Sequence, residues 1–257
     1  MQQTVKDVER AAGRCAYSPT LQRGRSLSVV IPAFNEESRL TRTLREMDVF
    51  LTERGYDCEV IVVDDGSLDR TRAVASSLQK SIPYLRVLGY TPNQGKGYAV
   101  RTGVLAATRP AVLFSDADHS TPISEIDRFW PWFDSGYDVV IASRIVLGSQ
   151  IHRRQTWMRQ VMGGTFRGLV AALALRGIRD TQCGFKLFRR DTGRLIFQRL
   201  RTKGFAFDVE AILLARRLGH QVAEVGVQWT DSSTSKVRAF RDARRMLVEL
   251  LRMRGLW

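Results

Sequence analysis

The sequence predicts an α/β fold in which a mostly parallel sheet is flanked by helices on both faces. Short runs rich in Val, Ile and Leu alternate with segments of helical period, and each run ends in polar residues. Continuous apolar runs are typical of strands buried on both faces, and their alternation with helices indicates βαβ units. A chain of 257 residues is long enough to bury a full core.

The first half of the chain contains most of the predicted sheet. The predicted strands are 26–32, 58–65, 85–90, 111–118 and 138–144. Between them, apolar residues recur at helical spacing over 36–54, 67–80, 96–108 and 123–135. Residues 1–25 are polar and weakly periodic, and we expect them to form an extension outside the core.

The second half has a different character. Apolar stretches at 184–190 and 222–229 predict additional strands around a helix at 206–219. The segments 152–176 and 237–257 are predicted to be basic amphipathic helices, which have the composition of helices that lie on a membrane surface. Packing of their apolar faces against the core or in an oligomer interface is the alternative.

The charge balance predicts an anionic partner. The chain carries 40 Lys and Arg against 26 Asp and Glu, a formal net charge of +14. Nucleic acid, an anionic membrane surface and phosphorylated substrates are the partners that such an excess favours, and a solvated basic surface is the alternative. Helix-turn-helix, zinc-ligand and RNA-recognition signatures do not occur in the sequence, so no nucleic-acid partner is expected.

The cysteines and the apolar runs bear on location. Three scattered cysteines without CxxC spacing predict a reducing compartment, and neither a disulfide framework nor a zinc site. The uncharged apolar runs are shorter than the roughly 18 residues that span a bilayer. If this protein meets a membrane, we therefore expect it to lie on the membrane surface.

Polar side chains follow the predicted strands where each strand ends. Because ligands bind beyond the carboxyl ends of the strands in an open α/β sheet, these residues are the candidates for chemistry. Asp116 and Asp118 stand one residue apart after an apolar run, and two such like charges favour a cation between them. A metal or a basic side chain could be that cation. The remaining possibility is that only water lies between the two acids.

Four motifs carry a resemblance to a known family. They are VVIPAFNEE (29–37), VIVVDDGSLDRT (60–71), NQGKGYAVRTG (93–103) and FSDAD (114–118). In order and spacing they resemble glycosyltransferase family 2 enzymes of the GT-A fold. RDTQCGFKLFRR (179–190), GFAFDVE (204–210) and VAEVGVQWTDSSTSKV (222–237) are similar to the dolichyl-phosphate β-glucosyltransferases of that family and, more loosely, to its polyprenyl-phosphate mannose synthases.

The resemblance implies an activity and a domain organisation. It implies an inverting, metal-dependent transfer of a hexose, with UDP-glucose as the first donor, onto a polyprenyl phosphate. GDP-mannose as donor and a soluble acceptor are the alternatives. Because a polyprenyl tail stays in the bilayer, the resemblance also implies a cytoplasmic protein that is peripheral on the inner face of the plasma membrane. The expected catalytic domain is 26–236, with a nucleotide-sugar half at 26–145 and an acceptor half at 146–236, followed by the basic helix 237–257. Donor, isoprenoid length and oligomeric state stay open at this point.

The resemblance also implies a donor site. Mg²⁺ or Mn²⁺ is expected on Asp118, with Asp116 nearer the ribose, and the metal would stabilise charge on the departing diphosphate. His119 is either a third ligand or a bystander. Lys96 is expected to face the phosphates or the base, and Asp208 either holds donor hydroxyls or is a helix N-terminal acid. The residues expected at the nucleoside are Pro32, Ala33, Asn35, Glu36 and one or both of Asp64 and Asp65.

The acceptor site needs cations more than a base. The second pKa of a phosphate monoester is about 6, so its oxygen is already ionised near neutral pH. Cations that hold this dianion in line with the sugar would therefore carry much of the catalysis. The candidates are Arg144, Arg159, Lys186 and Lys236, and a solvated helix face is the alternative for Arg159.

Overall fold

The computed structural model describes residues 23–153, 177–231, 246, 248–250 and 253. Arg159 and Lys236, most of the predicted extension 1–25, most of the predicted helix 152–176 and most of the predicted tail helix 237–257 lie outside the described residues. The division into an extension, a catalytic domain and a tail therefore stays a prediction. Within the described residues, no helix combines the length and the apolar character needed to cross a bilayer.

Strands and helices alternate through the first half, as expected. The strands are β1 (Ser26–Ala33), β2 (Asp57–Asp64), β3 (Leu85–Gly89), β4 (Ala111–Ser115), β5 (Val139–Ser143), β6 (Gln150–Arg153), β7 (Phe185–Arg189), β8 (Val222–Gly226) and β9 (Gln228–Thr230). The helices are α1 (Leu40–Glu53), α2 (Thr71–Leu78), α3 (Lys96–Ala106), α4 (Trp130–Asp134), α5 (Arg190–Arg199) and α6 (Phe207–Arg217), and a 3₁₀ helix covers Ile123–Arg128.

The main sheet of the described chain has the order β3-β2-β1-β4-β7-β5-β8. Its strands are parallel except β7, which runs antiparallel to β4 on one side and to β5 on the other. β6 and β9 form a separate parallel pair. The α/β prediction of a mostly parallel sheet flanked by helices is confirmed, and the one reversed strand lies in its interior.

Each face of the sheet is covered by a separate apolar layer. One layer packs α1, the 3₁₀ helix and α4 against side chains such as Leu27 and Phe185. The other packs α3, α5 and α6 against side chains such as Val30 and Phe114. α3 comes close to the sheet at Gly103, where a Cβ would lie only 2.3 Å from Cγ1 of Val30. A glycine at this point therefore sets how closely the helix approaches the strand.

The second half differs from the predictions at three places. Residues 152 and 153 belong to β6 and not to a helix. The run 222–229 is two strands in different sheets: β8 pairs with β5 in the main sheet, and β9 pairs with β6. The helix α5 was not predicted. It begins directly after β7, and its only apolar run, 195–197, is too short to show a helical period.

Candidate active site

Asp116 and Asp118 lie in the turn that follows β4, at the edge where the parallel strands end. The Nζ of Lys96, the first residue of α3, lies 2.6 Å from Oδ1 of Asp116. Oδ1 of Asp118 accepts the backbone N–H of Ser120 at 3.0 Å. Of the possible partners for this pair of acids, the structure therefore provides a basic side chain beside Asp116.

The antiparallel strand β7 supports Asp116 from the second half of the chain. Ser115 pairs with Phe185, and the backbone N–H of Asp116 donates to the carbonyl of Gly184 at 3.0 Å. The Asp116 carboxylate lies so close to Gly184 that a Cβ there would be 1.9 Å from its Oδ2. Gly184 was part of the quoted motif but was not predicted as a site residue. A glycine just before a buried strand is the signal that could have identified it.

Gly184→Ala is expected to lower the transferase activity that the resemblance implies at least tenfold, because the new methyl group displaces the Asp116 carboxylate. A shift of about 1 Å at a reacting centre can change rates by about a hundredfold. Steady-state kinetics with a nucleotide sugar would measure this. Gly193→Ala is the matched control. Gly193 lies in α5, away from the acids, and a Cβ there would contact Phe188 of β7 at 3.3 Å. Equal activity in the two variants would contradict the role of Gly184.

Two lysine ammonium groups lie near the ring of Phe114 on β4. The ammonium groups of Lys96 and Lys186 lie 5.3 and 5.6 Å from its centroid. Burial alone would lower the pKa of Lys96, but the carboxylates of Asp116 and Asp208 outweigh burial and raise it. Lys96 therefore stays positively charged beside Asp116.

Lys186 and Asp208 form a buried ion pair at the centre of the fold. Lys186 lies in β7, and its Nζ donates to Oδ1 of Asp208 and, at 2.6 Å, to the carbonyl of Cys183. Both side chains are almost completely buried. Burial raises the pKa of Asp208, and the two lysines Lys186 and Lys96 offset part of that rise. In this arrangement the Lys186 ammonium is engaged inside the protein and not presented to an acceptor phosphate.

Arg144 follows β5 and is held by Asp180. Its Nε and Nη2 donate to the two carboxylate oxygens of Asp180 at 2.7 and 2.8 Å, and its backbone N–H donates to Oδ2 at 3.0 Å. The guanidinium also lies 5.4 Å from the ring centroid of Trp229. The backbone N–H groups of Arg179 and Asp180 donate to Glu224 on β8. Arg144 thus fixes the loop that leads to Gly184.

The Asp180 carboxylate should make stability depend on pH. Burial works against its ionised form, but Arg144 outweighs burial and lowers the pKa of Asp180 from 3.8 to about 2. A lowered pKa contributes stability that is present above about pH 4 and is lost as the pH falls toward 2. The shift corresponds to about 2 kcal/mol.

The difference in unfolding free energy between the unmodified chain and Asp180→Asn is therefore expected to shrink between pH 5 and pH 2. Urea titrations at several pH values would measure it. Asp191→Asn, at a side chain that is 88% exposed, is the control and should leave the profile unchanged. A difference for Asp180→Asn that does not vary with pH would contradict the prediction.

The residues expected at the nucleoside lie along the ends of β1 and β2. Pro32 and Ala33 end β1, and Asn35 follows with a positive φ of 55°. The Asn35 side chain accepts the N–H of Leu68 at 2.8 Å, which ties this turn to the loop after β2. Glu36 is paired with Arg39 at 2.6 Å. The structure thus brings these four predicted residues to one edge.

Asp64 and Asp65 have structural partners of their own. Oδ1 of Asp64 accepts the N–H of Ser67 at 3.2 Å. Asp65 accepts hydrogen bonds from Tyr90, Asn93 and the backbone N–H groups of Gln94 and Gly95; these bonds fix the loop that leads into α3. Asp65 therefore positions Lys96, a function that its place after β2 did not reveal.

His119 adopts a positive φ of 55°, and its Nδ1 lies 3.3 Å from Oε2 of Glu46 on α1. Burial lowers the pKa of this imidazole, and Glu46 offsets part of the shift. In the part of the chain that the structure describes, no three His, Cys, Asp or Glu side chains are arranged to hold a metal ion. Ligation by His119 thus stays a prediction, and the observed contact favours the bystander alternative.

The site nevertheless suits a hard divalent cation. Asp116 and Asp118 supply carboxylate oxygens, which Mg²⁺ and Mn²⁺ prefer, and Mg²⁺ is commonly held by one or two carboxylates together with substrate phosphates. One of these acids already has a cation, the Lys96 ammonium, beside its Oδ1. The two carboxylates are therefore a donor set that fits Mg²⁺ or Mn²⁺.

Comparisons with known proteins agree with these observations. The chain matches the model described as glycosyl transferase family 2 over residues 28–194. It is 40% identical over 238 residues to a dolichyl-phosphate beta-glucosyltransferase of Drosophila melanogaster, covering 87% of this chain and 71% of the relative. It is 35% identical over 259 residues to the Homo sapiens dolichyl-phosphate beta-glucosyltransferase, covering 93% and 78%.

Among solved structures, the fold is similar to that of glucosyl-3-phosphoglycerate synthase from Mycobacterium tuberculosis. The complex of that enzyme with Mn²⁺, UDP-glucose and phosphoglyceric acid superposes with a TM-score of 0.68 at 22% identity and covers 94% of this chain and 85% of the other. At this identity the likeness establishes the shared fold.

Proposed function

The chain belongs to glycosyltransferase family 2, and from this premise we propose that it transfers glucose from UDP-glucose to a polyprenyl phosphate such as dolichyl phosphate. The acceptor phosphate oxygen forms a bond to C1 of glucose as the bond from C1 to UDP breaks. Direct displacement inverts the anomeric centre, so the products are UDP and a β-linked lipid phosphoglucose. The names of the relatives support glucose as the transferred sugar and dolichyl phosphate as the acceptor, and the structurally similar synthase was solved with UDP-glucose.

The observation that carries the proposal is the acid pair after β4 with a lysine beside it. In the proposed reaction, Asp118 and Asp116 would hold Mg²⁺ or Mn²⁺. When bound, such a cation stabilises the negative charge that develops on the departing UDP. Lys96, 2.6 Å from Asp116, is placed to add a second positive charge on the same side.

The other residues divide between positioning and binding. Asp65 fixes the loop before Lys96, and Arg144 with Asp180 fixes the loop before Gly184. Arg144 is therefore proposed as a positioning residue, because its guanidinium is already engaged by Asp180. The acceptor phosphate is left to cations such as Arg159 and Lys236, which stay predictions. The proposed location is a membrane surface on the cytoplasmic side, where the polyprenyl chain is anchored.

A direct assay tests the proposal. The chain is incubated with UDP-glucose, Mg²⁺ or Mn²⁺ and a short polyprenyl phosphate, and both UDP release and glucose in the organic phase are measured. The expected result is metal-dependent formation of an extractable product. Turnover with GDP-mannose alone would correct the donor, glucose transfer confined to a water-soluble acceptor would correct the acceptor, and no turnover with any nucleotide sugar would refute the proposal.

A further inference from the structure

The turn between β5 and β6 exposes apolar side chains. Leu147 is fully exposed, Ile145 is 44% exposed, and Ile151 on β6 is 42% exposed. Scattered exposed apolar residues are ordinary on a protein surface, but these belong to one short segment, 145–151, called here the apolar turn. Its side chains have no function in the chemistry described above.

The backbone of the apolar turn is held in place. The Ser143 hydroxyl accepts the N–H groups of Ile145 and Val146 at 3.3 and 3.4 Å, and the N–H of Ser149 donates to the carbonyl of Val146 at 3.1 Å. Arg128 donates to the carbonyls of Gly148 and Gly226 at 3.0 and 2.9 Å. The exposed side chains are therefore presented by a fixed turn.

The apolar turn lies at the edge of the sheet that carries the candidate site. It follows Arg144 directly, at the carboxyl end of β5, and its backbone packs on Gly226 at the end of β8. In the sheet, only β7 separates β5 from β4, whose end carries the acid pair. A surface that the turn contacts would therefore meet the protein on the side where an acceptor must enter.

Positive charge flanks the apolar side chains. Arg128 donates to the backbone of the turn and also pairs with Glu125 at 3.1 Å, and Arg179 is exposed in the neighbouring loop. An apolar tip beside a basic rim is the chemistry that suits an anionic lipid surface: the apolar groups enter the headgroup layer and the cations pair with the headgroups.

We propose that the apolar turn 145–151 is a membrane-contact site that inserts Leu147 and Ile145 into the headgroup layer of an anionic bilayer. The inference rests on the proposed function, because a polyprenyl phosphate offers its phosphate only at the bilayer surface. It adds to that function a specific docking element and an orientation, with the carboxyl edge of the sheet facing the lipid.

Vesicle flotation of the full chain, without any acceptor, tests the contact. Phosphatidylcholine vesicles with and without phosphatidylglycerol are compared for the unmodified chain, Leu147→Glu and Leu147→Ser. Both variants are expected to bind anionic vesicles about tenfold more weakly, the change that losing one buried Leu side chain implies. The control is Val49→Glu, at a 54% exposed position near the end of α1. This end of α1 leads to the start of β2, at the end of the sheet opposite the candidate site. The control should bind the vesicles within about twofold of the unmodified chain.

Turnover with a short, water-soluble polyprenyl phosphate separates the two proposals. Transfer by the unmodified chain together with undiminished flotation of Leu147→Glu would overturn the membrane contact and leave the function standing. Flotation that depends on Leu147, without transfer to any polyprenyl phosphate, would support the contact and refute the function. An unmodified chain that does not float, or a Leu147→Glu chain that changes only its oligomeric state in size-exclusion chromatography, would overturn the contact.

Discussion

Asp118→Asn is expected to lower glucose transfer about a thousandfold while the protein stays folded, because several kcal/mol of charge stabilisation depend on the metal that this carboxylate would hold. Asparagine keeps an oxygen that can accept the hydrogen bond from the N–H of Ser120, so the turn after β4 is retained and only the charge is lost. The effect should fall on kcat, since the lost interaction is strongest as UDP departs.

Two measurements complete this test. Mn²⁺ binding by electron paramagnetic resonance should weaken in Asp118→Asn, independently of turnover. Asp191→Asn, which removes one charge at an exposed position, should bind Mn²⁺ and transfer glucose like the unmodified chain. Full activity of Asp118→Asn, or unchanged Mn²⁺ binding, would show that the metal is held elsewhere.

Asp208→Asn is expected to destabilise the chain by about 3–5 kcal/mol, because it leaves the buried Lys186 ammonium without its counter-charge. The side chains of the pair are only 1% and 4% exposed, so water cannot replace the lost partner. Chemical denaturation would measure the change. A loss of unfolding free energy below about 1 kcal/mol is typical of an exposed ion pair, and it would contradict the burial of this pair.

The double variant Lys186→Met/Asp208→Asn separates a structural from a catalytic role of Asp208. Removing both charges is expected to restore most of the lost stability, because an apolar side chain then takes the place of a buried ion. If Asp208 holds hydroxyl groups of the donor sugar, the double variant stays inactive although it is stable. If Asp208 only neutralises Lys186, activity returns together with stability, and the donor role is refuted.

The sequence was most informative where chemistry depends on local order along the chain. Polar residues after apolar runs placed Asp116, Asp118, Asn35 and Glu36 at one edge, because parallel strands connected by helices all end on the same side. The fold class followed from the same alternation. Both Lys96 and Asp116 were predicted at the site, but their direct pairing depends on how the loop fixed by Asp65 approaches β4.

The features that could not be predicted from the sequence depend on pairing between distant parts of the chain. The insertion of β7 between β4 and β5 follows from contacts between residues about seventy positions apart, such as Ser115 with Phe185, and no local pattern encodes that register. For the same reason the supporting residues Asp180 and Gly184 were not assigned. Lys186 was predicted to bind the acceptor phosphate, and its burial became visible only when its strand was placed inside the sheet.

The reversed strand β7 also means that the two halves of this protein are one cooperative unit. A chain ended after residue 145 would lose the strand that pairs with both β4 and β5, leaving two unpaired edges in the middle of the sheet. Each apolar layer likewise contains side chains from both halves. The two halves of the chain are thus interlocked, and neither could be exchanged between related enzymes as an independent module without rebuilding the centre of the sheet.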